Sequence, residues 1–222
     1  MEEKVEIKNN FFFFFGGIMQ IIKYELVKKD KYNVYLSNGE VITLDERVIT
    51  GNKLLLKKEI DCDLYDKINF DNGIYELIDI CIKYISIRLR SIKEIEDYLY
   101  KRNVNNKDID IVVSKLIKSG YLDDERFAKA YVKDKFQFTN KGDYKIRMEL
   151  QQLGVSLDII NSNDMLFDDE LIDNRIRKVI DKEIKINKKY NGVILRNRIY
   201  NRLLSQGYSK EKVISIINEY DF

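Results

Sequence analysis

At 222 residues, with 45% hydrophobic and 34% charged side chains and a net charge of +2, the chain has the composition of a soluble globular protein able to bury a sizeable core. It contains no His, Trp or Pro. Without His, the commonest metal ligand and the commonest general base are missing, which excludes Ser-His and Cys-His catalytic pairs; no stretch reaches the ~20 apolar residues of a membrane-spanning helix.

The amino terminus carries five consecutive phenylalanines at residues 11–15, followed by Gly16-Gly17. The run has the apolar character of a signal-peptide core, but it is short, acidic residues are mixed into its flank, and no Ala-x-Ala-like cleavage site follows. The plainer reading starts the protein at Met19 and makes residues 1–18 a tail or upstream extension, removable without loss of function. From Gln20 to about Ile60 the pattern has period two in places. Tyr24 and Leu26 share one strand face, and Tyr32, Val34 and Leu36 share another. Asp30-Lys31 and Ser37-Asn38-Gly39-Glu40 supply turns, Asn-Gly being a strong hairpin signal. Residues 41–44 read as a third strand and 54–56 as a fourth. Cys62 and Cys81 form no CxxC pair, so no disulfide framework or zinc site is indicated, and both are expected to be small buried hydrophobes in a reducing compartment.

From residue 63 the period becomes helical. Ile74, Leu77, Ile78, Cys81, Ile82 and Ile85 keep the three-four spacing of a buried helix face. Ser91 with Glu94 predicts a capping box and a helix carrying Ile92, Ile95, Tyr98 and Leu99 inward. Asn105 or Asn106 caps the next helix, whose apolar face is Ile109, Val112, Val113, Leu116 and Ile117, and Gly120 ends it in the left-handed conformation.

An internal repeat organises the rest. Ile95, Leu99 and Val104 recur as Ile146, Leu150 and Val155 and again as Ile199, Leu203 and Tyr208, at offsets of 51 and 53 residues. Each set is followed by an apolar residue five positions on: Ile109, Ile160 and Val213. Gly154 and Gly207 precede the last position of two copies. Asn103 precedes it in the first, and Asn is the residue that best replaces Gly in the left-handed region. The acidic run Leu122-Asp123-Asp124-Glu125 reappears as Phe167-Asp168-Asp169-Glu170, each suited to start a helix by capping it. The fold expected is mainly α, three tandem three-helix repeats preceded by a small antiparallel β element. Its parts are 1–18, a β-hairpin region over 19–62, and repeats over 63–120, 121–166 and 167–222. The alternative is a single unrepeated helical domain.

Several of these residues also carry a family resemblance. The segment from Gly120 through Leu122-Asp123-Asp124-Glu125 to Phe127-Ala128, then Tyr131-Val132, Lys141-Gly142, Ile146, Leu150 and Gly154-Val155, resembles the central motif of the RecX family. Arg90-Ser91 with Glu94, Ile95 and Leu99 looks like that family's first-repeat motif, so the likeness covers about residues 70–222. It departs from the family in the acidic, Asn-rich stretch 156–170 and in a third repeat with only the generic apolar pattern. The resemblance implies a cytoplasmic bacterial protein that binds the RecA recombinase as its RecA–DNA filament. There it would modulate ATP hydrolysis, strand exchange and co-protease action, and so DNA recombination, repair and the SOS response.

The chemistry legible in the residues themselves points to binding, with no catalytic, cofactor or metal residues. Asp123-Asp124 reads as a helix cap and not a metal site. Tyr121, Phe127 and Tyr131 read as core or repeat-interface aromatics on one stripe. Net charge alternates along the chain: −3 over 1–84, +4 over 85–155, −5 over 156–170 and +6 over 171–222. Two basic segments suit an acidic or nucleic-acid partner. The candidate contacts are Arg88, Arg90, Lys93, Lys101 and Arg102 in the first repeat, Lys145 and Arg147 in the second, and Arg196, Arg198 and Arg202 in the third. A row of repeats would present these as a basic stripe on an extended body spanning neighbouring filament subunits. Scattered solubilising charge is the plainer reading of the same residues. A monomer with weak direct DNA contact is expected, and a helical module acting directly on DNA is the alternative function.

Overall fold

The computed structural model describes residues 17–161 and 167–222, so the expectations placed on the phenylalanine run lie outside the described residues. The chain divides into two compact units between Ile80 and Cys81.

The first unit holds a four-stranded antiparallel sheet of β1 (Met19–Lys28), β2 (Lys31–Leu36), β3 (Val41–Asp45) and β4 (Glu59–Ile60), in the order β3-β2-β1-β4. Asp30 and Gly39 take positive φ at the two hairpin turns, as the turn residues predict. Alternation then places Val34, Leu36, Ile42 and Leu44 in a core with Val48, Ile49, Leu54 and Ile60. Tyr24 packs against that core, whereas Leu26, nearer the hairpin end of β1, is exposed. The fourth strand is not at 54–56. The chain there leaves an unforeseen helix, α1 (Glu46–Gly51), and turns sharply at Lys53, which has φ 55. Leu54 donates its N–H to Ile49 O and is buried, while Leu55 and Leu56 face water. The missed signal was Asp45, a buried N-cap that accepts from Arg47 N and from the Arg47 guanidinium.

Helix α2 (Cys62–Ile87) leads into the repeats, and no strand follows Ile60 among the described residues. Its Ile74, Ile78 and Cys81 are buried as the spacing requires, but Cys62, at the first turn, is exposed, which corrects the expectation for that residue. Three sets of helices make up the repeats: α2 with α3 (Ile92–Tyr100) and α4 (Asn106–Lys118), then α5 (Asp124–Phe138), α6 (Asp143–Gln152) and α7 (Leu157–Asn161), then α8 (Asp169–Ile186), α9 (Gly192–Gln206) and α10 (Lys210–Ile217). The middle helices carry the repeat: Ile95, Leu99, Ile146, Leu150, Ile199 and Leu203 are all fully buried. Each middle helix gives way to a left-handed residue, Asn103, Gly154 or Gly207, with φ of 60, 84 and 86°. Caps are local where the sequence promised them. Ser91 and Glu94 form the capping box, Asn105 accepts from Asp108 N, and Asp123 and Asp168 each cap the helix they precede. Gly120 ends α4 with φ 72. Two aromatic or apolar assignments fail. Ile117 and Tyr121 are exposed, Tyr121 because it lies in the turn before α5 and so cannot share a helical stripe with Phe127 and Tyr131.

Successive repeats meet through these turns. Gly154, after α6, lies against Lys93 at the start of α3, so close that a Cβ at Gly154 would stand 2.5 Å from the Lys93 Cβ. Gly207, after α9, lies in the same way against Lys145 at the start of α6. Phe136 and Phe167 meet edge to face at 5.9 Å where the second and third cores adjoin.

Candidate partner-binding surface

The basic residues of the first repeat gather around one carboxylate. Glu94, fixed by the capping box, accepts hydrogen bonds from both Arg88 and Arg90. Burial opposes its ionisation, but the hydrogen bonds from Arg88, from the Ser91 N–H and from Arg90 outweigh it and hold the carboxyl below the ordinary range. The Arg90 guanidinium lies 3.7 Å from the Tyr84 ring centroid, Tyr84 stacks on Tyr98 at 4.1 Å, and Arg102 lies 4.5 Å from Tyr98 while donating to its hydroxyl. Such cation–π contacts are worth about 0.5–2 kcal/mol each. They leave the Arg90 side chain only 9% exposed, so it is a structural cation, whereas Arg88 remains half exposed. Lys93 spans to the next repeat, donating from Nζ to Gln152 O at 3.1 Å. Lys101 is exposed at the end of α3.

In the second repeat Lys145 is exposed, and Arg147 turns inward over its own repeat. Its Nη1 donates to Ile160 O at 2.9 Å and its guanidinium lies 4.0 Å from the Phe167 ring. In the third repeat, Arg196 reaches Asn218 Oδ1, Arg198 donates to Asn187 Oδ1 at 2.9 Å, and Arg202 lies 3.8 Å from Glu183. The structure thus brings Arg88, Arg90 and Arg102 into one aromatic-backed cluster and Arg198 and Arg202 against the end of α8. Arg90, Arg147 and Arg196 are at most partly exposed. The cations that keep a solvent-facing charge are Arg88, Lys93, Lys101, Arg102, Lys145, Arg198 and Arg202, several of them also hydrogen-bonded or paired within the protein.

A further basic group was not singled out from the sequence: Arg175, Lys178 and Lys182 on α8, spaced three and four apart and hence on one helical stripe, converge with Arg202 around a single cavity. The spacing was readable, but α8 also carries Asp173, Asp181 and Glu183, and only the packing of α9 shows which charges face each other.

No group of His, Cys, Asp and Glu side chains suited to hold a metal occurs among the described residues, and no helix among them is long and apolar enough to cross a membrane. The Cys81 thiol is pushed up to about 11 by burial, so it is a poor nucleophile at neutral pH.

Comparison with known proteins agrees with this architecture. Residues 78–116 match the family model described as RecX, first three-helix domain, and residues 123–162 match RecX, second three-helix domain. The chain is 26% identical over 197 residues to the regulatory protein RecX of Halalkalibacterium halodurans, spanning 87% of this chain and 74% of that one. It is 29% identical over 206 residues to the regulatory protein RecX of Geobacillus sp. (strain WCH70), spanning 90% and 76%. Among solved structures, a regulatory protein RecX superposes with a TM-score of 0.79 at 22% identity, over 91% of this chain and all of that one. RecX from Lactobacillus salivarius superposes with a TM-score of 0.62 at 25% identity, over 66% and 95%.

Proposed function

The chain belongs to the RecX family, and on that premise we propose that it is a cytoplasmic regulator that binds the RecA recombinase as its RecA–DNA filament and restrains ATP hydrolysis, strand exchange and co-protease action. The observation that carries the reading is the ordered match of both three-helix domains, in a chain whose full-length relatives are named regulatory proteins. The surface supports it. Solvent-facing cations occur in all three repeats, so a partner with repeated acidic patches could be held at several points together. Linked weak contacts then reinforce each other through effective concentration. Action is stoichiometric in this reading, with the chain serving as a binding body and supplying no reactive group.

The test is RecA ATPase on single-stranded DNA, titrated with the full-length protein, alongside co-sedimentation with RecA filaments and with bare DNA as control. The protein is expected to lower ATPase before it reaches equimolar amounts and to pellet with filaments more than with bare DNA. Reversing Arg196, Arg198 and Arg202 to Glu together should weaken both effects while the far-ultraviolet helix signal stays at the wild-type level. Undiminished modulation by the triple variant would remove that helix face from the interface. No effect of the wild-type protein at equimolar amounts would overturn the RecA assignment.

A further inference from the structure

The cavity on the third repeat has a charge balance that the protein does not settle by itself. It measures about 170 Å³ and lies between α8, the end of α9 and Asn140 in the loop after α5. Four cations line it, Arg175, Lys178, Lys182 and Arg202, against one carboxylate, Glu183. That carboxylate is already engaged, accepting from the Asn187 side-chain amide at 2.9 Å and lying 3.8 Å from Arg202. Lys178 and Lys182 are exposed, one helical turn apart, and make no ion pair among the described residues. Like charges at that spacing oppose the helix that carries them.

Arg175 is different in kind, because it cannot swing away. Its guanidinium donates to Phe136 O and, at 2.7 Å, to Thr139 O, tying off the carbonyl end of α5. Its Nε is buried without a partner, as is Oε1 of Gln206, another lining residue. The wall therefore has a fixed guanidinium and three long flexible cations, while Glu183 and the Gln206 amide oxygen are acceptors. An anion seated there would be held by the cations from several directions, as the oxygens of a tetrahedral oxyanion allow.

We propose that this cavity is an oxyanion site that seats one phosphodiester group of a nucleic-acid strand. The flexible lysines let the site follow a backbone without reading sequence, so its contribution is affinity and placement. The inference stands apart from the RecA reading, because the contact needs no RecA.

The experiment uses the full-length protein and a fluorescein-labelled single-stranded oligonucleotide of mixed sequence, followed by anisotropy over a range of salt concentrations. Wild type is compared with Lys178→Gln/Lys182→Gln and with a charge-matched control, Lys107→Gln/Lys133→Gln, at exposed positions away from the cavity. The cavity variant is expected to bind more weakly and to lose about 0.7 from the slope of log K against log salt, the value for one phosphate contact on a single strand. The control should bind as a protein with two fewer diffuse charges, its slope nearly unchanged. Equal slopes for both variants would overturn the site. In a second arm, sodium phosphate is compared with sodium chloride at matched ionic strength for its effect on melting temperature. A phosphate-specific rise that the cavity variant loses supports the oxyanion site. The same rise with oligonucleotide binding untouched would overturn the nucleic-acid assignment.

Discussion

The two joints between repeats solve the same packing problem with different chemistry. At the first joint, α3 begins with a capping box of its own, so Ser91 and Glu94 satisfy the exposed N–H groups at its start. The second repeat then adds side-chain contacts from outside: Asp124 accepts from Ile92 N at 2.8 Å, and Lys93 reaches Gln152 O. At the second joint, α6 begins at Gly142 with no side-chain cap. The third repeat supplies the missing acceptors from its backbone, Gln206 O taking the Gly142 N–H at 2.8 Å and Gly207 O taking the Lys145 N–H at 3.3 Å. Gly142 is required by that closeness, since a Cβ there would stand 2.3 Å from Gly207 C and Tyr208 N; its own φ of −77° is ordinary. The difference teaches that a helix start can be completed by itself or by its neighbour. Where the neighbour does it, local stability and inter-repeat docking become one term.

Breaking what the joints share should have the largest effect. Leu150 is fully buried in the helix that lies between them, and Leu150→Ala is expected to cost about 2–5 kcal/mol in urea unfolding, as should Leu99→Ala and Leu203→Ala at the equivalent positions. An unchanged midpoint for Leu150→Ala would refute the repeat register.

The next effect separates the joints. Gly142→Ala forces a Cβ into backbone, which has no flexible end to move aside, and should cost about 1–3 kcal/mol. Hydrogen exchange of the backbone amides at positions 142 and 145 should accelerate, because their acceptors lie across the joint. Ser91→Ala should cost about 0.5–2 kcal/mol, the range for a lost N-cap, with no change in exchange at Gly142. Similar exchange behaviour in both variants would mean that the joints are not chemically distinct.

The smallest effect sharpens the first joint by pH. Glu94 has a folded-state pKa below the ordinary glutamate value of 4.5, despite the burial that opposes it, because Arg88, the Ser91 N–H and Arg90 donate to it. Its contribution is therefore present above the unfolded value and lost as pH falls through the lower folded value. Arg88 is half exposed, which screens the pair, so the contribution is about 1 kcal/mol or less. The stability difference between wild type and Glu94→Gln should be constant near neutrality and shrink below pH ~4.5. A difference that stays flat into acid would assign the cap to geometry alone.

Periodicity and short-range capping set much of this molecule from sequence alone. The 51- and 53-residue offsets mark the buried faces of three middle helices, Asn103 takes the left-handed turn that Gly154 and Gly207 take, and Ser91, Asn105, Asp123 and Asp168 cap where they stand. These are interactions across two to four residues, so the residues that make them are neighbours in the sequence. Tertiary structure alone decided which side chains are left over. Arg90 and Arg147 read as surface cations, but one rests on Tyr84 and the other donates to Ile160 O. Residues 54–56 read as a strand, but Leu54 fills the core behind α1. Gly142 stands in the sequence only as part of the Lys141-Gly142 motif, and the structure shows its partner, a turn more than sixty residues away. A charge or an N–H is free or satisfied according to what packs beside it, and that neighbour comes from a distant part of the chain.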